Sequence, residues 1–254
     1  MAANDKYYLG IDLGSSYTKY VVVDHNGQLC FNQVIPTQTR HRDGHLNILR
    51  QIEEQYKIYR SCSTGYGRDR YDGDIKKTEL VCASLGVSAQ YPVHKSIIDV
   101  GGEDIKIIES GPGGEVLHFY MNDKCAAGTG AFITEIAEKV ELEIEEMSAL
   151  ASNSDTRRTI NSFCTVFAKS ELLSWKFDEV PIEDIARGIY LSIVSRLAKL
   201  ALRTDIPVYI CGGVIAYHPY LKELLAEEAG VEIQVVPEPQ FMVARGAAII
   251  ANSM

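Results

Sequence analysis

Hydrophobic residues recur along the chain in two spacings, one typical of strands and one typical of helices. Short apolar runs bounded by Gly, Asn or Pro predict strands, whereas apolar residues three and four positions apart predict helices. Strands are expected over residues 7–12, 19–24, 29–35, 59–64, 96–100, 104–109, 116–121, 208–211 and 231–236. Helices are expected over residues 46–56, 78–89, 165–175, 182–201, 221–229 and 241–252, with another running from the turn at 128–130 to about 150. This mixture predicts an α/β fold.

The beginning of the chain is repeated in its middle. Residues 12–19 and 99–106 match in Asp, Gly and Lys at one offset of 87 positions, and both segments join two predicted strands. Three matches in register indicate an internal duplication of a β-hairpin that opens with Asp-x-Gly. No low-complexity linker divides the chain, so the two halves are expected to pack face to face with a cleft between them. The expected domains are residues 1–93 with 240–254, and residues 94–239.

A matched pair of Asp-x-Gly turns suits a metal–triphosphate ligand. Glycine lets backbone N–H groups approach phosphate oxygens, and Asp12 and Asp99 are suited to hold Mg²⁺ through water. Glu103 or Asp104 could orient or activate the attacking water. The phosphate-binding candidates are Gly14, Ser15, Ser16, Tyr17, Thr18 and Lys19 in the first turn, and Gly101 and Gly102 in the second. A plain turn explains one such copy well, but it explains a matched pair poorly.

The six cysteines divide into two groups. Cys30, Cys62, Cys82 and Cys211 lie in apolar runs and are expected to be small core residues. Cys125 and Cys164 each precede a helix-like segment. A helix start offers free N–H groups and a positive dipole end, which can hold a phosphate or favour a metal-binding thiolate. The turn formed by Gly128, Thr129 and Gly130 is therefore a further candidate for binding the phosphates of the metal–triphosphate cofactor.

Composition narrows the functional classes. The formal net charge of −9 argues against a nucleic-acid surface. The apolar runs are far shorter than the ~20 residues of a membrane span, and the polar residues 1–6 resemble no signal peptide. These features predict a cytoplasmic protein with no nucleic-acid or membrane partner, in which disulfides are not expected.

Three segments resemble the nucleotide motifs of the superfamily of actin, sugar kinases and DnaK-type chaperones. Residues 10–16 and 98–102 resemble its two phosphate motifs, and residues 211–214 resemble its adenosine motif. Residues 78–89 and 245–248 resemble its two connecting helices. The resemblance implies a duplicated ribonuclease H-like fold, the actin-like ATPase fold, with two domains and an interdomain ATP cleft. It also implies that the adenosine is bound by Gly212, Gly213 and Val214.

Two cysteine motifs, residues 121–130 and 163–171, resemble a narrower family, the activating ATPases of 2-hydroxyacyl-CoA dehydratases. The ATPase subunits of benzoyl-CoA reductase are close relatives of that family. Residues 64–68 also fit its pattern, and Gln240 matches a nucleotide-contacting position. The resemblance implies a homodimer that shares one oxygen-sensitive [4Fe–4S] cluster, bound by Cys125 and Cys164 of both chains. Such a cluster takes four thiolates, and two chains related by a twofold axis offer four.

The same resemblance implies ATP-driven electron transfer. Hydrolysis of ATP to ADP would drive one-electron reduction of an iron–sulfur acyl-CoA dehydratase or reductase, and a ferredoxin or flavodoxin would reload the cluster. Two departures concern Glu103, where the family usually has Gln, and Lys169, where it usually has Glu. The departure at Glu103 leaves the hydrolysis rate open, and the one at Lys169 leaves the partner open.

Two other functions remain open on the same fold. An N-acetylhexosamine-type kinase would share both Asp-x-Gly hairpins, and so would an ATPase that assembles like actin or acts as a chaperone. Neither alternative explains paired cysteines placed before helices, and the electron-transfer interpretation does.

Overall fold

The computed structural model describes residues 6–37, 43–122, 129–160, 164–198, 200 and 202–254. The chain forms two compact units. Unit 1 comprises Met1–Val93, Ser110–Leu117 and Gln240–Met254, and unit 2 comprises His94–Glu109 and His118–Pro239. The sequence-based division places residues 110–117 with the second half, but they group with unit 1. There, a Cβ on Gly114 would lie only 2.6 Å from the Leu85 side chain.

The described strands form two sheets with the same plan. The strands are β1 (Tyr7–Leu13), β2 (Tyr17–Asp24), β3 (Leu29–Pro36), β4 (Ile58–Thr64), β5 (Ile75–Lys76), β6 (Lys95–Val100), β7 (Ile105–Ser110), β8 (Val116–Asn122), β9 (Val208–Cys211) and β10 (Ile233–Val235). The first sheet has the order β3-β2-β1-β4-β5, and the second has the order β8-β7-β6-β9-β10. Strand β1 thus corresponds to β6, and β4 corresponds to β9. The duplication inferred from residues 12–19 and 99–106 therefore extends over whole sheets.

The pairing within each sheet follows the same rule. Strand β1 runs antiparallel to β2 and parallel to β4, while β6 and β10 both run parallel to β9. Asn26 and Gly27 form the predicted tight turn between β2 and β3, with Gly27 at φ +77°. Because β1 and β6 lie in the middle of their sheets, Asp12 and Asp99 emerge from buried strands.

Helices cover these sheets. In the described ranges they are α1 (Asp43–Gln55), α2 (Glu79–Ser88), α3 (Gly130–Lys139), α4 (Met147–Ser152), α5 (Thr165–Phe177), α6 (Ile182–Leu197), α7 (Gly213–Tyr217), α8 (Tyr220–Ala229) and α9 (Met242–Ser253). Most of these were expected from the hydrophobic spacing. The short helix α7 and the two-residue strand β5 were not, because neither is long enough to show a period.

Alternation along β1 explains how unit 1 packs. Leu9 and Ile11 point to one face of the sheet and share a core with Ile48 and Ile52 of α1. Gly10 lies between them and faces the other side, where a Cβ would stand 2.0 Å from the Ala244 carbonyl oxygen of α9. Glycine at this position thus lets α9 pack directly on the strand that ends at Asp12.

One expected helix and one expected core cysteine differ from the structure. The predicted helix from residue 130 to about 150 is two helices, because Glu141 adopts φ +59° and the Leu142 N–H bonds to the Ala137 carbonyl at 3.0 Å. Cys30 is exposed rather than buried, since β3 is an edge strand with neither face fully covered. The apolar spacing across residues 130–150 persisted because α3 and α4 bury side chains in the same core.

The helices of the described ranges differ from membrane-spanning helices. None of them combines the length and the apolar character that a membrane-spanning helix requires.

Candidate functional site

The first Asp-x-Gly turn contains a buried carboxylate that is only half satisfied. Asp12 is 4% exposed, and its Oδ2 accepts a hydrogen bond from Lys19 Nζ at 3.0 Å. Its Oδ1 is buried and has no hydrogen-bond partner among the described residues. A buried oxygen without a donor is costly, so such atoms usually face a ligand, a water or an ion. This orphaned oxygen fits a hydrated Mg²⁺.

Hydrogen bonds to Thr37 hold the rest of the first turn in place. Ser15, Ser16 and Tyr17 are exposed, whereas Thr18 is buried with its Oγ1 2.9 Å from Thr37 Oγ1. The Thr37 hydroxyl in turn donates to the Gly14 carbonyl at 2.8 Å. Thr18, expected to offer its hydroxyl to phosphate, therefore anchors the turn through Thr37.

The second turn carries a buried cation. Lys106 is 3% exposed, and its Nζ lies 2.7 Å from the Asp104 carboxylate and 3.8 Å from Asp99 Oδ2. The Gly101 N–H closes the turn by donating to the Asp104 carbonyl at 2.9 Å. Of the two candidates for activating water, Asp104 is thus held in an ion pair, while Glu103 is exposed to solvent.

Each buried aspartate has a glycine beside it on the neighbouring parallel strand. Gly65 follows β4 at φ +90°, and Gly212 follows β9 at φ +103°. A Cβ on Gly65 would lie 2.7 Å from Asp12 Oδ1, and one on Gly212 would lie 2.7 Å from Asp99 Oδ1. The sequence predicted Gly212 but missed Gly65 as a site residue. Its counterpart position in the duplicated sheet was the signal that could have identified it.

The start of α3 is tied to the second turn. The Gly130 N–H donates to the Gly101 carbonyl at 3.1 Å, and the Ala131 N–H donates to the Gly102 carbonyl at 2.7 Å. The expectation that the helix start offers free N–H groups is therefore wrong for these two. Thr129 is fully buried at the same junction. Gly128 lies outside the described residues.

The predicted adenosine segment forms a glycine turn that leads into α7. The Gly212 N–H donates to the Pro239 carbonyl at 3.0 Å, and Val214 is buried at the beginning of the helix. A Cβ on Gly213 would meet no atom within 4 Å, so space is open beside it. Gln240 lies in the 3₁₀ turn Pro239–Phe241 just before α9 and is half-buried.

The cysteines differ in accessibility. Cys164 is exposed at the position just before α5, which is an accessible place for a metal-binding thiol. Cys62, Cys82 and Cys211 are buried as expected. Burial, together with the nearby Asp99 carboxylate, raises the pKa of the Cys211 thiol well above its usual value. Cys125 lies outside the described residues. Within the described part of the chain, no group of three or more His, Cys, Asp or Glu side chains could hold a metal ion.

Two ion pairs connect α5 to α3 and to the turn that follows α3. Lys169 Nζ lies 2.7 Å from Glu135 Oε2, and Lys176 Nζ lies 3.0 Å from Glu141 Oε2. Lys169, which departs from the resembled family, thus has a matching carboxylate within its own unit.

His218 gives unit 2 a pH-dependent stability. It is 4% exposed with Nδ1 2.7 Å from the Tyr190 hydroxyl, and burial lowers its pKa from 6.5 to about 4. The unfolded chain therefore binds the proton more tightly, and stability falls as pH decreases from 6.5 towards 4. We expect a loss of about 2 kcal/mol between pH 7.5 and pH 5, measured by urea unfolding. His218→Gln should lose that part of the pH dependence, and an unchanged slope in this variant would contradict the assignment.

A protein-family model matches residues 9–251 of this chain, and its description is the BadF/BadG/BcrA/BcrD ATPase family. A protein named 2-hydroxyisocaproyl-CoA dehydratase activator, from Clostridioides difficile, is 36% identical, covering 96% of this chain and 94% of the relative. A second, named (R)-2-hydroxyglutaryl-CoA dehydratase activating ATPase, from Acidaminococcus fermentans, is 35% identical, with 96% of each chain covered.

A solved structure is similar over nearly the whole chain. It is the activator of the 2-hydroxyisocaproyl-CoA dehydratase from Clostridium difficile with bound ADPNP. Its TM-score is 0.89 at 34% identity, covering 97% of this chain and 94% of that one. Together with the two matching sheets, this similarity confirms the predicted duplicated ribonuclease H-like fold of the actin-like ATPases.

Proposed function

Because this chain belongs to the BadF/BadG/BcrA/BcrD ATPase family, we propose that it is an ATP-driven electron donor to an acyl-CoA dehydratase or reductase. The observation that carries the proposal is the near full-length similarity to two proteins named as dehydratase activators. The chain is an ATPase, and relatives named as activators of 2-hydroxyacyl-CoA dehydratases support the activator role.

In this proposal the two buried aspartates hold hydrated Mg²⁺ and orient the phosphates. Asp12 supports that role with an unpartnered Oδ1 in a buried setting. Lys19 and Lys106 balance the aspartates, and the backbones at Gly14, Gly101 and Gly102 approach phosphate oxygens. Gly212, Gly213 and Val214, with Gln240, receive the adenosine. Exposed Glu103 orients the attacking water.

The cysteines are proposed to bind one [4Fe–4S] cluster between two copies of the chain. Cys125 and Cys164 from each copy would complete four thiolates, and exposed Cys164 before α5 fits this role. Such a cluster supplies one-electron redox chemistry when bound. A ferredoxin or flavodoxin is the proposed source of the electron, and the acceptor is an iron–sulfur dehydratase or reductase.

The hydrogen bonds at the start of α3 support coupling between the two sites. Gly101 and Gly102 bind the first amides of α3, and Cys125 lies five residues before Gly130 in the sequence. A shift of the second turn on loss of a phosphate would therefore move the beginning of α3. The ion pair between Lys169 and Glu135 would carry that movement towards α5.

The test is ATP-dependent activation of a dehydratase. The anaerobic protein, with dithionite and MgATP, is assayed with 2-hydroxyisocaproyl-CoA dehydratase and with (R)-2-hydroxyglutaryl-CoA dehydratase, each first shown to respond to its own activator. We expect dehydration by at least one enzyme with ATP and none with ADPNP. The Asp99→Asn variant keeps the shape of the side chain but loses its charge, and it should not activate either dehydratase. Failure with both dehydratases would contradict the proposal.

A further inference from the structure

The loop after β4 places an arginine beside the first phosphate turn. Arg68 is half-buried in a 3₁₀ turn, Arg68–Arg70, and its Nη1 donates to the Gly65 carbonyl at 3.3 Å. Gly65 is the glycine whose missing Cβ leaves room for Asp12 Oδ1. The Arg68 guanidinium therefore bonds to a residue that lies directly beside the buried Asp12 carboxylate.

Several hydrogen bonds hold this loop firmly. The Gly67 N–H donates to the Leu13 carbonyl at 2.8 Å, and the Ser63 hydroxyl donates to the Arg68 carbonyl at 3.0 Å. The Arg70 N–H donates to the Gly67 carbonyl at 2.8 Å. The first of these bonds joins the loop to the end of β1, and the other two fix the loop to β4 and to itself. An arginine on such a loop is positioned in advance, which lowers the entropy lost when it binds an anion.

Charge at the first turn is balanced without Arg68. Lys19 is matched by Asp12 at 3.0 Å, so this pair adds no net positive charge for a polyphosphate. In the described part of the chain, Arg68 forms no ion pair with a carboxylate, and its one side-chain acceptor is the Gly65 carbonyl. A guanidinium has five N–H donors in a fork that matches phosphate oxygens. Most of these donors have no acceptor among the described residues and are therefore available to bind a ligand.

We propose that the Arg68 guanidinium binds the terminal phosphate of ATP and stabilises the charge that develops on it during hydrolysis. Asp12 would hold a nucleotide-bound Mg²⁺ through water, and this ion would neutralise charge on the phosphates. An arginine on the Asp12 side of the turn would then lie close to the phosphate that is cleaved. In hydrolysis, the bond from the terminal phosphorus to the bridging oxygen breaks as water attacks. Water supplies the new oxygen, its proton leaves to solvent, and ADP departs. The inference rests on the ATPase activity and is independent of the cluster.

The test compares Arg68→Gln, Arg68→Lys and the control Arg70→Gln. Arg70 is an exposed arginine in the same 3₁₀ turn, so its replacement controls for net charge. ATPase kcat and KM are measured with calorimetric Kd values for ADPNP and for ADP. We expect Arg68→Gln to lower kcat about 100-fold and to raise the Kd for ADPNP roughly tenfold. ADP affinity and Tm should stay at the wild-type values. Arg68→Lys keeps the charge but loses the forked donors. Its kcat and its ADPNP affinity should therefore lie between those of the wild type and those of Arg68→Gln.

Two results would overturn the inference. One is an Arg68→Gln variant with the ADPNP affinity and kcat of Arg70→Gln. The other is an Arg68→Gln variant whose Kd values for ADP and ADPNP rise equally, which would place the guanidinium away from the terminal phosphate. If Arg68→Gln does not fold, the same comparison is made with Arg68→Lys. Wild-type protein that binds no ADPNP would instead contradict the nucleotide function itself, so the two failures are distinguishable.

Discussion

Replacing Gly212 by valine is expected to abolish ATP binding and to lower the free energy of unfolding by about 3 kcal/mol. Gly212 adopts φ +103°, which a β-branched residue strongly disfavours. A Cβ there would lie 2.3 Å from the Val100 carbonyl oxygen and 2.7 Å from Asp99 Oδ1. The end of β6 would have to move, and Asp99 would move with it. Thermal unfolding and ADPNP calorimetry measure the two effects.

The neighbouring glycine provides the stability control. Gly213 has ordinary backbone angles, and a Cβ on it would meet no atom within 4 Å. Gly213→Ala should therefore keep the wild-type Tm. A Gly212→Val protein that melts like the wild type and binds ADPNP normally would show that the close approach to Asp99 has no role.

Replacing Asp12 by asparagine is expected to lower ATPase kcat by roughly 1,000-fold while leaving Tm nearly unchanged. The buried Oδ1 has no partner among the described residues, so changing that atom breaks no hydrogen bond, although the ion pair of Oδ2 with Lys19 loses its negative charge. An asparagine oxygen can still accept the Lys19 hydrogen bond, which keeps the turn in place. What is lost is the charge that would attract Mg²⁺.

Asp24→Ala should show the reverse pattern. The Asp24 carboxylate accepts hydrogen bonds from the Asn26 and Gln28 N–H groups at 2.8 Å each, far along β2 from the phosphate turn. Its loss should cost about 1 kcal/mol of stability and leave kcat unchanged. If Asp12→Asn instead loses stability in proportion to activity, Asp12 is a structural residue and the magnesium assignment fails.

The sequence predicted most of the elements because the strands and long helices each bury a periodic face. It also predicted the duplication, since Asp12 and Asp99 begin segments that match in Asp, Gly and Lys at one offset. It did not predict the interruption after α3, where Glu141 adopts a positive φ and residues 140–146 separate two helices that share one core. Hydrophobic spacing cannot report such a break, because the same residues are buried on both sides of it.

The candidate site was predicted less completely, for a related reason. A glycine such as Gly65 looks like any turn glycine until β4 is known to lie parallel to β1. The bonds from Gly130 and Ala131 to the second turn join residues almost thirty positions apart in the sequence, and no local pattern signals them. Single candidate residues could be named from the sequence, whereas contacts that depend on which strands are neighbours could not be predicted from it.

The most direct measurement is iron and sulfide content of the anaerobically reconstituted protein, with its mass in solution. We expect a dimer with about four irons per two chains. Cys125→Ser and Cys164→Ser should each lose the iron and still bind ADPNP, while Cys30→Ser, which changes the other exposed cysteine of the described residues, should keep it. A wild-type protein without iron, or a Cys164→Ser protein that retains it, would contradict the shared [4Fe–4S] cluster.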